Sequence, residues 1–280
     1  PAANMIIFSL AAGSSVSVAA MFAAGAVPGV VLGIALAICC YIIAVKRNYP
    51  REERVPFKKA VRITLDALAG LLVAVVILAG VLSGVFTATE SSAVAVVYAL
   101  IVAKFVYREL TWEKFRQSLV NSLRTLAIVV ALIAASSAFG WLLALLKVPE
   151  MVTQGLLAIS HNPYVVMLII NIVLLLLGMI MDMAPLILIC TPILLPVAVG
   201  IGMDPVHFGI VMMLNLSIGL ITPPVGTVLF VGSAIGKISI EETVKGTLPF
   251  YLTMFVVLMV ITYFPQTFMW LPKLVLGYGC

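Results

Sequence analysis

The chain has 280 residues, 64% of them hydrophobic and only 10% charged, with a formal net charge of +5. Soluble domains carry roughly 25% charged residues, so these proportions exclude a soluble globular fold and describe a polytopic membrane protein. Of the 16 Lys and Arg, seven lie in 46–62 and five in 104–124, the clustering of cytoplasmic loops and not of a nucleic-acid surface.

A span needs about 20 apolar residues, and the apolar runs are read on that measure. The chain opens Pro1-Ala2-Ala3-Asn4 with neither Met nor a basic leader, and is expected to be a C-terminal fragment. Val16–Val45 is the first full span, kinked at Pro28, and ends inside the cell at Lys46-Arg47. The basic loop 46–62 follows. Leu65–Val85 leads out and Ala88–Val106 returns, with Thr87-Ala88-Thr89-Glu90 fitting the capping box that opens a helix. Thr111–Arg116 mixes aromatics and charges as a helix lying in the membrane interface does. Leu119–Leu146 leads out again. Its Ser136 and Ser137 either bond back to their own helix or face a cavity. Residues 147–163 form an outer connection. Trp112, Trp141 and Trp270 fit interface anchors.

The stretch 164–200 is unusual, because apolar runs too short for full spans flank Asp182-Met183-Ala184-Pro185. It is read as a re-entrant hairpin in preference to one long kinked helix. A charge at membrane depth is costly, about 2.5 to 3.5 kcal/mol on insertion scales, and usually marks a pathway. Asp182 either holds charge beside a cavity or caps the helix that follows it. Phe208–Ala234 then crosses inward, broken at Gly219-Leu220-Ile221-Thr222-Pro223-Pro224-Val225-Gly226. Asn215 and Ser217 precede the break, and line a site or bond across helices. Lys237–Lys245 is polar and cytoplasmic, and Phe250–Leu271 is the last span, leaving the C-terminus outside.

The segment after the break recurs. Pro1 pairs with Pro224, Gly13 with Gly236, Val16-Ser17-Val18 with Ile238-Ser239-Ile240, and Pro28 with Pro249. Pro1 is therefore expected to start inside the break of a first repeat, whose earlier part would be roughly 150 residues. Two repeats and two broken segments point to a secondary transporter.

Gly84-Val85-Phe86-Thr87-Ala88-Thr89-Glu90-Ser91-Ser92-Ala93-Val94-Ala95, Asp204-Pro205-Val206-His207-Phe208-Gly209 and the segment Gly219–Gly226 resemble signatures of the large membrane subunit of tripartite ATP-independent periplasmic (TRAP) transporters. The resemblance covers the whole chain, in which the family's first hairpin and first scaffold helices are not expected. It implies an all-α polytopic fold with inverted repeats, a re-entrant hairpin and a broken helix that work as an elevator. It also implies sodium-driven uptake of an organic acid (a C4-dicarboxylate, sialic acid, a sugar acid or a keto acid) across the bacterial inner membrane. The partners implied are a small membrane subunit and a periplasmic solute-binding protein, besides the lipid bilayer.

Sodium prefers oxygen ligands, and Pro223 and Pro224 lack N–H groups, so carbonyls are freed at the break. The expected sodium ligands are Gly178, Gly219, Thr222 and Val225, the pairing of hairpin tip and broken helix that the family implies. Asp182, Pro223, Pro224, Gly226 and Asn215 are expected around the substrate cavity. Sodium is the coupling ion, and no other cofactor or metal is expected. An enzyme is disfavoured: an intramembrane aspartyl protease needs two membrane aspartates, and neither His161 nor His207 lies in an apolar run. A channel, a sodium/proton antiporter and a non-transporting scaffold subunit remain as alternatives.

The expected division is 1–62, the end of a first repeat; 63–163, scaffold and arm helices; 164–235, hairpin and broken helix; and 236–280, linker and last helix. Segments 16–45 and 65–107 are expected as scaffold, with 164–235 moving as one body. The orientation is testable by labelling a single cysteine at Arg54 with an impermeant reagent in sealed cells. Labelling only after permeabilisation is expected; labelling from outside contradicts the assignment.

Overall fold

In a membrane every backbone N–H and C=O needs an internal partner, and apolar runs of Leu, Ile, Val and Ala meet that demand as helices. The computed structural model describes residues 3–13, 16–49 and 56–277, all helix or connection, with no strand among them. Pro1, Ala2 and Arg54, which enter the sequence expectations, lie outside the described residues. The chain packs as two compact units, residues 44–130 and residues 2–43 with 131–280. Of the segments expected as scaffold, most of 16–45 falls in the larger unit and 65–107 in the smaller one.

In the smaller unit, α3 (Phe57–Leu82) and α4 (Ala88–Ile101) form a helical pair. A capping box opens α4: the Glu90 N–H donates to Thr87 Oγ1 at 3.2 Å, and the Thr87 N–H donates to Glu90 Oε2 at 2.8 Å. That satisfies two otherwise unpaired donors at the helix start. Helix α4 finishes in a wider π-turn, Val102–Val106. The long helix α5 (Trp112–Leu145) leaves this unit and continues into the other. It absorbs both the expected interface helix 111–116 and the expected span 119–146, since no Pro or Gly separates them before Gly140.

The larger unit holds α1 (Ala3–Ala12), α2 (Val18–Lys46), α6 (Val148–Ile159), α7 (Pro163–Gly178), α8 (Met183–Gly200), α9 (Pro205–Leu220), α10 (Thr227–Gly236), α11 (Ile240–Tyr263) and α12 (Trp270–Leu276). Helix α6 was not expected in the outer connection; Pro149 and Glu150 in its first turn were the available signals. Helix α11 starts ten residues before the expected span, because Ser239 and Glu242 form a second capping box. Among the described residues, five helices are long and apolar enough to cross a membrane: α2, Ala88–Val106, α5, α8 and α11.

Asn171 on α7 lies beside Asn215 on α9, and Gly178 lies beside Gly219 further along both, so α7 and α9 run parallel. Met183 meets Ser217, and Thr191 meets Met212, so α8 runs antiparallel to α9. Helices α7 and α8 are therefore antiparallel, and the chain reverses at 179–182: a hairpin, not a kinked helix. Asp182 closes that reversal by accepting from the Met183 N–H at 2.9 Å. The cap of α9 is Asp204, whose Oδ1 accepts from Val206 and His207, with Pro205 at the first helical position.

Polar pairs fasten the helices. Asn215 Nδ2 donates to the Asn171 carbonyl at 2.9 Å and to Asn171 Oδ1 at 2.7 Å. Asn171 Nδ2 reaches Thr262 of α11 at 3.3 Å, and His207 Nε2 lies 2.9 Å from the Ile261 carbonyl. His207, outside the apolar runs in sequence, is a buried residue of α9, because the Asp204–Pro205 cap starts the helix just before it.

The repeat is visible as elements. Helices α1 and α10 are both followed by a left-handed residue, Gly13 at φ 70° and Lys237 at φ 51°. Each then leads into a long helix with one internal proline, Pro28 or Pro249.

Interhelical amide pairs in membranes contribute about 0.6 kcal/mol on average and up to about 1.7 kcal/mol. Asn171→Ala and Asn215→Ala are each expected to lower stability within that range. The double variant is expected to lose less than the sum, since the two amides bond each other. A double-mutant cycle on the purified protein measures this; full additivity contradicts the pairing.

Candidate functional site

The site begins with a shortage of donors. In an unbroken helix the N–H groups of residues 223–226 would pair with the carbonyls of 219–222. Pro223 and Pro224 have no N–H, and the Val225 and Gly226 N–H groups both turn to the Met179 carbonyl of the hairpin, at 3.2 and 3.3 Å. Four carbonyls of α9 and its end are thus released. Gly219 recovers a partner in the Thr222 N–H at 2.9 Å. Ile221 accepts from the Tyr251 hydroxyl of α11. The Leu220 and Thr222 carbonyls receive no backbone N–H among the described residues. The peptide bond between the two prolines is cis.

Those two open carbonyls face one place. A Cβ added to Gly226, which is left-handed at φ 49°, would lie 3.0 Å from the Thr222 oxygen and 3.3 Å from the Leu220 oxygen. Glycine both permits that backbone angle and leaves the space open.

The hairpin reaches the break by direct backbone contact. A Cβ on Gly219 would lie 2.7 Å from Gly178 Cα and 3.1 Å from the Gly178 oxygen, closer than a side chain tolerates. Gly178 and Gly219 are buried, and the Gly178 carbonyl takes no backbone N–H among the described residues. The structure therefore brings Gly178, Gly219, Thr222 and Val225 together around residues 179 and 226. The Thr222 hydroxyl donates to the Ile218 carbonyl at 2.6 Å, which leaves its lone pairs free. Sequence reasoning missed Leu220, Met179 and Tyr251. Counting each missing N–H against its carbonyl four residues back identifies Leu220, but nothing local marks Tyr251.

The residues expected around a cavity separate. A cavity of about 200 Å³ lies among α1, α2, α8 and α9, lined by Asn4, Met5, Met183, Met213 and Ser217 with Gly25 and Pro28. Its polar edge is Asn4 and Ser217: Asn4 Nδ2 lies 2.9 Å, and Ser217 Oγ 3.8 Å, from Met183 Sδ. Asp182 adjoins this edge through Met183 and is exposed. Asn215 does not line the cavity; its amide is buried against Asn171. Pro223, Pro224 and Gly226 belong to the break and not to the cavity wall. Of the two serines weighed for a cavity role, Ser137 bonds back to the Ile133 carbonyl at 2.8 Å. Among the described residues no cluster of three or more His, Cys, Asp or Glu side chains is placed to hold a metal ion.

A family model described as "Tripartite ATP-independent periplasmic transporter, DctM component" matches residues 1–267. The chain is 46% identical over 274 residues to the uncharacterized protein YgiK of Salmonella typhimurium, covering 98% of this chain and 62% of that protein. It is 39% identical over 279 residues to the sialic acid TRAP transporter large permease protein SiaM of Vibrio cholerae, covering 100% of this chain and 65% of SiaM. With the C4-dicarboxylate TRAP transporter large permease protein DctM of Pseudomonas aeruginosa it shares 38% over 273 residues, 98% of this chain and 64% of the relative. The chain thus spans a little under two thirds of the relatives it matches.

Gly219→Ala is expected to destabilise the purified protein by about 1 to 3 kcal/mol, the cost of overpacking a close contact. Gly232→Ala is the control, because nothing lies within 4 Å of its added Cβ. Thermal unfolding compares the two; equal midpoints contradict the contact between hairpin and break.

Proposed function

We propose, from the premise that this chain belongs to the DctM-component family of tripartite ATP-independent periplasmic transporters, that the whole protein imports an organic acid coupled to sodium. The chain is a multi-pass membrane protein, which in a bacterium places it in the inner membrane, and its relatives are permeases and not enzymes.

The observation that carries the sodium reading is the set of carbonyls left open where hairpin and break meet. Gly178, Leu220 and Thr222 offer backbone oxygens without N–H partners, and Thr222 adds a hydroxyl oxygen. A hard cation takes such oxygens, and in a low-dielectric setting each open oxygen has a reason to acquire a partner. Val225 contributes through its N–H, which ties the break to Met179; the Gly226 N–H turns to the same carbonyl and so leaves the Thr222 carbonyl free.

The organic acid is assigned to the cavity edged by Asn4 and Ser217, beside the start of α8. The amides of that first turn favour an anion, and Asp182 takes up only the Met183 N–H. Asp182 then acts as the cap that fixes the turn between hairpin tip and cavity. Two relatives carry sialic acid and C4-dicarboxylate in their names, and both are carboxylates. The same family implies a small membrane subunit and a periplasmic solute-binding protein as partners. Ion and acid would travel together on the hairpin and the broken helix.

Thr222→Ala removes one ligand oxygen and leaves the Pro223-Pro224 break in place. In the full-length transporter reconstituted with its partners, the sodium concentration for half-maximal uptake is expected to rise by about tenfold, equivalent to about 1.4 kcal/mol. An unchanged half-saturation with unchanged maximal uptake contradicts a ligand role for Thr222.

A further inference from the structure

Where α4 ends, the chain does not pass directly into α5. The π-turn Val102–Val106 widens the helix, and the Glu109 and Leu110 N–H groups both return to the Ala103 carbonyl, at 3.1 and 3.3 Å. Arg108 takes a left-handed φ of 54° to allow the reversal. The result is a groove of about 360 Å³ with Leu100, Ile101, Phe105, Leu110, Trp112 and Phe115 on its walls and Lys104 among them. Trp112 and Phe115 pair across one side with ring centroids 5.6 Å apart. Phe105 is 71% exposed and Trp112 78%. In water such rings would be a liability; at a membrane interface they sit where one end is apolar and the other wet.

Charge decides what fills the groove. Between 104 and 116 stand Lys104, Arg108, Lys114 and Arg116 against Glu109 and Glu113. Among the described residues the single ion pair is Lys245–Glu241, so none of these four cations is neutralised by a carboxylate there. The basic bias places this end of α4 at the cytoplasmic leaflet, whose anionic headgroups attract Lys and Arg. A neighbouring apolar helix would cover the rings and leave Lys104 without a counter-ion. An anionic phospholipid satisfies both, with an acyl chain along the rings and its phosphate at Lys104.

We propose that the groove between Leu100 and Phe115 is a binding site for one anionic phospholipid of the cytoplasmic leaflet, anchored by Lys104 and walled by Phe105, Trp112 and Phe115. The proposal needs the membrane location only, and stands or falls independently of sodium-coupled transport.

Quenching by brominated lipid reads contact with Trp112 directly. The full-length protein is reconstituted in phosphatidylcholine bilayers containing, at equal mole fraction, either phosphatidylglycerol or phosphatidylcholine with dibrominated acyl chains. The Trp112 contribution is the difference between the protein and its Trp112→Phe variant, which keeps a ring against Phe115. Dibrominated phosphatidylglycerol is expected to quench that contribution about fivefold more effectively than dibrominated phosphatidylcholine, as one lysine near the surface implies. Lys104→Gln, at an exposed position, is expected to abolish the preference. Equal quenching by the two lipids, or a preference that survives Lys104→Gln, overturns the proposal. Absence of quenching by both also overturns it, since the groove is then covered by protein, either the small subunit or a second copy.

Discussion

Two prolines in sequence inside a membrane helix create a demand that the rest of the larger unit answers. The four carbonyls of residues 219–222 cannot all pair within the helix. One is recovered by Thr222, one is bonded by Tyr251 from α11, and the Val225 and Gly226 N–H groups are spent on Met179. The break is therefore held by the hairpin on one side and by α11 on the other. Gly178 and Gly219 are small because the two backbones must nearly touch for Met179 to reach those N–H groups. What remains unpaired, the Leu220 and Thr222 carbonyls, is a direct consequence of that arrangement.

The repeat gives this arrangement its setting. Helices α1 and α10 are each followed by a left-handed residue, Gly13 and Lys237. Helix α1 packs on α8 through Asn4 and Met183, and Phe8 meets Phe208 with ring centroids 6.4 Å apart. Helix α1 thus lies against α8, the second arm of the hairpin. The cavity edged by Asn4 and Ser217 lies between α1 and α2 on one side and α8 and α9 on the other.

Much of this was legible in the chain. Apolar runs located the spans, Asp182 the hairpin turn, and Pro223-Pro224 the break, because each rests on local chemistry: hydropathy, a cap, a missing donor. The capping box at Thr87 and Glu90 was equally local. Less legible were features set by tertiary partners. In sequence Asn215 either lines a site or bonds across helices, and the choice depends on Asn171, 44 positions away, which takes up its amide. Tyr251 sits in a segment with no signal of its own, and its role exists only because α11 passes Ile221. Helices α5 and α6 differ from expectation for the opposite reason. Charges and aromatics in 111–116 mimic an interface helix, and nothing in the window shows that the same helix continues to Leu145.

Hairpin tip and break are proposed as one cation site. Amide hydrogen exchange on the full-length protein, in sodium and in potassium at equal ionic strength, addresses it directly. The account predicts that segments 176–182 and 219–226 gain protection together in sodium and not in potassium. Protection of only one segment, or the same exchange in both salts, would contradict a shared site.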